Sequence, residues 1–211
     1  MLALSVASAR ACLGARIAIF DDARHPSDAR AVAALTPDVW TQTHWPRGGN
    51  LNGWPAADGI VESMLAAASA TGAKIIAKID CDTLVLADQW LDADAPFYGF
   101  SHGAGAWFFG ACYAFRVDAL ARLAAHMALA PRHPRARVGE DACIGSHAIR
   151  MFGQDGALWP YSRKGLRFFC PASDHPGALD CQACTFQHRR RHSPRDLENM
   201  RASARHRGFV K

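Results

Sequence analysis

Two carboxylates separated by one residue, Asp80 and Asp82, follow an apolar segment near the middle of the chain. Residues 73–79 read Ala-Lys-Ile-Ile-Ala-Lys-Ile, which predicts a buried strand. Ligands of open α/β sheets bind at the carboxyl ends of strands, and carboxylates suit hard divalent cations whose coordination is completed by substrate phosphates. A pair of aspartates that only shapes a turn is the competing interpretation, but such a turn needs no buried strand before it. The pattern favours a metal site in a nucleotide-dependent enzyme.

A second acidic pair, Glu140 and Asp141, comes about sixty residues later. It opens a segment, residues 141–152, whose apolar residues recur at helical spacing and which is followed by Gly153 as a helix stop. In the structural interpretation, one of the two carboxylates caps this helix. In the functional interpretation, a carboxylate at the helix start takes a proton from a substrate as a general base.

The elements around these two pairs alternate between strands and helices, which predicts an α/β fold. Predicted helices cover residues 4–13, 57–70, 117–129 and 141–152, and predicted strands cover residues 16–20, 73–79, 107–116, 166–169 and 185–188. The aromatic strand at 107–116 is interrupted by Gly110, where another group could approach the backbone closely.

Length and composition predict one substantial core. A chain of 211 residues that is half hydrophobic can bury about 70% of its unfolded surface. It has no run of about 18 uninterrupted apolar residues, so no transmembrane helix is predicted.

Basic residues are concentrated at the end of the chain. Residues 186–211 hold eight of the 24 Lys and Arg but only two of the 19 Asp and Glu, so the remaining sequence is close to neutral. This end could attract an anionic surface, or it could be a solvated terminal helix. Because no Phe, Tyr or Trp is interleaved with the arginines between residues 189 and 207, no nucleic-acid partner is expected.

Seven cysteines are scattered along the sequence, and their odd number favours a reducing compartment. Four late residues have a spacing that could form a tetrahedral zinc site, namely Cys170, Cys181, Cys184 and His188. One short-spaced pair is weak support for zinc, so reduced thiols or a single disulfide are the favoured interpretation.

The order of these motifs resembles that of GT-A-type glycosyltransferases, which bind a nucleotide-diphosphate sugar through a divalent ion. The segment Glu-Asp-Ala-Cys-Ile-Gly at residues 140–145 is similar to the Glu-Asp motif of galactosyltransferase-like inverting enzymes. The resemblance implies a Rossmann-like three-layer α/β/α sandwich with a mixed, mostly parallel central sheet over residues 1–190, followed by a basic helix or tail at 191–211. GT-A domains normally begin with a strand, whereas the first element predicted here is a helix. The usual first strand is therefore expected to be absent, or to precede this sequence in a longer product.

The same resemblance implies a site. Asp80 and Asp82, with His188 as a third ligand, would hold Mn²⁺ or Mg²⁺, which would neutralise the charge growing on the leaving diphosphate. Asp141, beside Glu140, would be the general base.

The donor pocket implied by the resemblance includes Asp22, which follows the first predicted strand and would contact the base or ribose of the nucleotide. Asn52 and Gly110 would line the same pocket, and Asp80 would reach the donor through the metal. The expected donor is a nucleotide-diphosphate sugar, with UDP favoured, and the expected acceptor is a glycan or lipid-linked hydroxyl, as in polysaccharide biosynthesis. The implied location is the cytoplasm, with peripheral association to an anionic membrane through the basic end, and oligomerisation is compatible with this interpretation.

Two alternatives stay open. One is a non-catalytic module of the same fold that binds a nucleotide sugar or a glycan. The other is a haloacid-dehalogenase-type phosphatase, suggested by Ile-Asp-Cys-Asp-Thr-Leu at residues 79–84. In that motif Thr83 comes one residue too early and Lys78 interrupts the strand, so the match is poor.

Overall fold

The computed structural model describes residues 1–45, 53–91, 94–101, 109–131, 139–160, 166–168, 181–186 and 193–211. These residues form a mixed α/β protein, as the sequence predicts. The helices are α1 (Leu2–Leu13), α2 (Ala29–Ala33), α3 (Gly53–Thr71), α4 (Val117–Leu129), α5 (Glu140–Phe152) and α6 (Pro194–His206). The strands are β1 (Ala18–Asp22), β2 (Val39–Thr43), β3 (Ile75–Ile79), β4 (Thr83–Val85), β5 (Phe97–Ser101), β6 (Cys112–Arg116), β7 (Ala157–Pro160), β8 (Leu166–Phe168) and β9 (Ala183–Thr185).

The largest sheet has the strand order β3-β6-β5-β7. It is mixed, because β6 pairs antiparallel with both β3 and β5, while β5 and β7 are parallel. The expectation of a mostly parallel sheet is therefore wrong for these strands. The connection between β5 and β6 is too short for the crossover of a dozen or more residues that a parallel pair needs.

Two smaller sheets complete the described strands. β1 and β2 form a parallel pair, and β4, β9 and β8 form a three-stranded sheet in that order. The predicted strand at 185–188 is found earlier, as β9, and ends at Thr185. Residues 187 and 188 of that prediction lie outside the described residues.

Three helices cover the four-stranded sheet and form the main core with it. α4 has the predicted bounds and buries Leu120 and Leu123, while α5 begins one residue earlier than predicted, at Glu140, and buries Ile144. These side chains pack with α3 and with Phe97 and other aromatic residues of β5 and β6 in one hydrophobic cluster. This packing fixes the first turn of α5 against the sheet.

The C-terminal helix is amphipathic rather than solvated on all sides. Met200 and Ala204 are fully buried and pack with Leu84, Leu86 and Phe186. The helix begins with a capping box in which Ser193 and Asp196 bind each other's backbone N–H groups. Its arginines lie on the exposed face, so the basic end has one face in the core and one in solvent.

None of the helices within the described residues is long and apolar enough to cross a membrane.

Candidate active site

The Asp-x-Asp segment forms a turn that joins two sheets. β3 ends at Ile79 and β4 begins at Thr83, whose backbone N–H donates to the Asp80 carbonyl at 3.0 Å. The same carbonyl accepts a hydrogen bond from the Ser5 hydroxyl of α1 at 3.1 Å. The Asp80 N–H donates to the carbonyl of Ala111 at 2.9 Å. Contacts from three directions therefore fix the backbone of Asp80.

The two carboxylates of this turn differ in exposure. The side chain of Asp80 is 45% exposed, whereas Asp82 is only 6% exposed. Next to β9, the Phe186 N–H donates to the Asp82 carbonyl at 2.9 Å. Asp80 is therefore open to solvent, while Asp82 is held within the protein. His188, the predicted third ligand, lies outside the described residues.

The second acidic pair meets the sheet at Gly110. One carboxylate oxygen of Asp141, Oδ2, accepts a hydrogen bond from the Gly110 N–H at 3.2 Å, and the other, Oδ1, accepts one from the Ala142 N–H at 2.8 Å. A Cβ atom added at Gly110 would lie 3.0 Å from the Cβ of Asp141. The glycine predicted as a point of close approach therefore admits the first turn of α5.

Lys78 connects the two acidic motifs. Its ammonium donates to Asp80 Oδ1 at 2.5 Å and also to the Gly110 carbonyl. Because the Gly110 N–H binds Asp141, a continuous hydrogen-bonded chain runs from Asp80 through Lys78 and Gly110 to Asp141. The structure thus brings the predicted metal ligand and the predicted base to one place. We call Asp80, Glu140 and Asp141, with Lys78 among them, the acidic centre.

The charges of the acidic centre act on one another. Burial raises the pKa of Glu140, and the nearby carboxylates of Asp141 and Asp80 add to this rise while Lys78 opposes it. Burial is the largest single effect on the pKa of Lys78 and lowers it. The charges of Asp80, Glu140 and Asp141, together with the hydrogen bond to Asp80, outweigh burial, so this pKa is raised. Lys78 is therefore a cation at neutral pH.

Lys78 was not among the predicted site residues. A signal for it existed in the sequence: a lysine near the end of a mostly apolar predicted strand, two residues before Asp80. Side chains two residues apart on an extended segment point to the same face, so the sequence placed Lys78 and Asp80 together. The contact with Gly110 could not be inferred in this way, because 32 residues separate the pair.

The donor-pocket residues are only partly described. At the end of β1, the carboxylate of Asp22 accepts a hydrogen bond from the Arg24 N–H at 3.0 Å. Its neighbour Asp21 is buried and accepts two hydrogen bonds from Ser27. These contacts order the turn after β1. Asn52 lies outside the described residues.

The predicted zinc set is also only partly described. Cys181 and Cys184 are both buried in the hydrophobic cluster beneath α6. Cys170 and His188 lie outside the described residues. The zinc site stays a prediction.

The donor atoms at Asp80 fit a hard cation. Within the described ranges, no group of three His, Cys, Asp or Glu side chains is close enough to hold a metal ion. However, the side chain of Asp80 is 45% exposed, so an ion can reach it, and carboxylate oxygens are the ligands that Mg²⁺ and Mn²⁺ prefer. Asp80 and Asp82 are the residues that would hold such an ion.

A cavity of about 490 Å³ lies at the opposite end of β3, lined in part by Lys74, Ile75 and Arg116. Arg116 forms ion pairs there with Asp94 and Asp118. Since β3 leads away from this cavity toward Asp80, the cavity is separate from the acidic centre.

The close approach at Gly110 leads to a prediction. Gly110→Ala should lower the stability of the protein by about 1–3 kcal/mol, because the new methyl group must displace Asp141. Urea denaturation would measure this loss. In an Asp141→Gly background the obstacle is gone, so Gly110→Ala should cost clearly less there. Equal costs in both backgrounds would show that Asp141 is not the group that restricts this position.

In comparisons with known proteins, no protein-family model matches the chain and no curated protein sequence matches it.

Proposed function

We propose that this protein is a metal-dependent glycosyltransferase with a GT-A-type fold. It would transfer a sugar from a nucleotide-diphosphate donor to a hydroxyl group of a glycan or lipid-linked acceptor, with inversion at the anomeric carbon. The observation that carries the proposal is the hydrogen-bonded chain from Asp80 to Asp141. Two acidic motifs about sixty residues apart in sequence meet at one site.

At the donor end, Asp80 and Asp82 would hold Mn²⁺ or Mg²⁺. When bound, the ion supplies positive charge to the diphosphate as it leaves. The 45% exposed side chain of Asp80 can meet an entering ligand, and the buried Asp82 keeps a fixed position beside β9. UDP-sugars are the favoured donors.

At the acceptor end, Asp141 would act as the base. The acceptor oxygen forms its bond to the anomeric carbon as the bond from that carbon to the diphosphate oxygen breaks, and the hydroxyl proton passes to the Asp141 carboxylate. Hydrogen bonds from Gly110 and Ala142 hold this carboxylate in one orientation. Glu140, whose pKa is raised by burial, lies beside it at the helix start.

A non-catalytic nucleotide-sugar-binding module of the same fold is the second candidate. The ion pair between Lys78 and Asp80 favours it, because a cation already sits on a predicted metal ligand. A module of this kind would bind the donor but would not transfer its sugar.

Asp82→Asn tests the donor end. Loss of one carboxylate charge at a buried metal ligand should weaken Mn²⁺-dependent binding of a UDP-sugar by at least about 10–100-fold, the range for losing a group that only supports a metal ligand. Isothermal titration calorimetry would measure this loss. Asp94→Asn is the matched control, since Asp94 is 90% exposed and pairs with Arg116 away from the acidic centre. Unchanged donor affinity in folded Asp82→Asn protein would remove Asp82 from the metal site.

A further inference from the structure

We propose that Lys78 is an internal counter-cation that competes with the divalent metal ion for Asp80 and holds the acidic centre together when no metal is bound. Lys78 is thus a positioning residue. The inference rests on the proposed function in one respect only, namely that Asp80 is a metal ligand.

The first argument is geometric. The side chain of Lys78 is only 17% exposed, and its ammonium is hydrogen-bonded to Asp80 Oδ1 and to the Gly110 carbonyl. The Tyr113 ring lies 5.7 Å from the same nitrogen. A surface lysine that only solvates a strand would extend into water. Lys78 instead points inward along the sheet and occupies an oxygen that a metal ion at Asp80 would need.

The second argument is electrostatic. Asp80 binds the ammonium of Lys78 directly, and Asp141 binds the N–H of Gly110, whose carbonyl accepts a hydrogen bond from the same ammonium. Glu140 lies beside Asp141 in the first turn of α5. Like charges that are brought together disfavour one another unless a cation compensates them. With Lys78 present, one positive charge faces three carboxylates. Without Lys78, the same carboxylates would bind a divalent cation more tightly.

The test compares Mn²⁺ affinity in the absence of any nucleotide. Lys78→Met removes the charge and keeps an unbranched apolar side chain of similar length, and we expect it to tighten Mn²⁺ binding by about tenfold or more, because a unit charge a few ångströms from the metal is removed. Lys78→Arg keeps the charge and should keep the Mn²⁺ affinity close to that of the unmodified protein. Lys74→Met is the matched control: it makes the same change in net charge at an exposed position before β3, and it should not alter the affinity.

Equal Mn²⁺ affinity in Lys78→Met and in the unmodified protein, including no measurable binding in either, would overturn the proposal. If Lys78→Met does not fold, Lys78→Gln is measured in its place with the same expectation. A purely structural lysine would lower the unfolding temperature in these variants without making that temperature more responsive to Mn²⁺. Since no sugar nucleotide is present, the result decides the role of Lys78 separately from the transferase proposal, which would fail instead through absence of donor binding.

Discussion

Asp141→Asn is expected to reduce sugar transfer severely while leaving metal-dependent donor binding intact. The amide has nearly the shape of the carboxylate and can still accept the hydrogen bond that Gly110 donates, although its NH₂ group cannot accept the one from the Ala142 N–H. The amide cannot take up the acceptor proton. Loss of a general base lowers rates by about 10²–10⁴-fold. Transfer would be measured with a radiolabelled sugar nucleotide, and donor affinity by calorimetry.

The matched control for this variant is Asp155→Asn, which changes the same functional group at an exposed position after α5. It should transfer sugar at the rate of the unmodified protein. If Asp141→Asn retains full transfer activity, Asp141 is not the base. If it loses donor binding as well as transfer, its role is to shape the donor site.

Deletion of residues 193–211 is expected to unfold the protein or to lower its stability severely. The deletion removes the fully buried Met200 and Ala204 and uncovers Leu84, Leu86 and Phe186. Loss of one buried methionine side chain alone costs about 2–5 kcal/mol, out of a total stability of about 5–15 kcal/mol. Urea denaturation and limited proteolysis would show the loss as a lower unfolding midpoint and faster cleavage.

Charge-removing substitutions on the exposed face of the same helix separate its packing in the core from the predicted association with an anionic surface. Arg201→Gln and Arg205→Gln lie on that face and should change stability by no more than about 0.5 kcal/mol. They should weaken any association with anionic vesicles. If the protein that lacks residues 193–211 keeps an unchanged unfolding midpoint, α6 is not part of the core.

The buried face of α6 could not be inferred from the average composition of this segment. The segment was expected to be a basic tail or a solvated helix because arginines dominate it. The two residues that anchor it, Met200 and Ala204, are four apart and therefore share one face. A pattern of this kind is visible only once the position of the helix is known.

Local periodicity predicted the long helices, although α3 begins at Gly53, four residues before its predicted start. α4 and α5 were predicted within one residue because their apolar positions repeat every three to four residues over several turns. Four strands were not predicted, namely β2, β4, β5 and β7. Of these, β4 has three residues and all are buried, so it has no alternating pattern. The antiparallel pairing of β5 and β6 also depends on a partner that the residues of either strand do not specify.

At the site, too, the sequence indicated the individual residues but not the contacts between them. Asp80 and Asp82 could be found from their position after a strand, and Asp141 from its position at a helix start. The two motifs are connected through Gly110, which binds Lys78 on one side and Asp141 on the other. Each of these contacts joins residues more than 30 positions apart in the sequence. The sequence could therefore supply the groups, but only the fold could show that they meet.

The most direct test of the account is a calorimetric and thermal-shift titration of the purified chain with UDP-, GDP-, CMP- and dTDP-linked sugars, each with and without Mn²⁺. We expect one nucleotide class, with UDP favoured, to bind and to raise the unfolding temperature only when Mn²⁺ is present. A folded protein with a cooperative unfolding transition that binds none of these donors under either condition would contradict it.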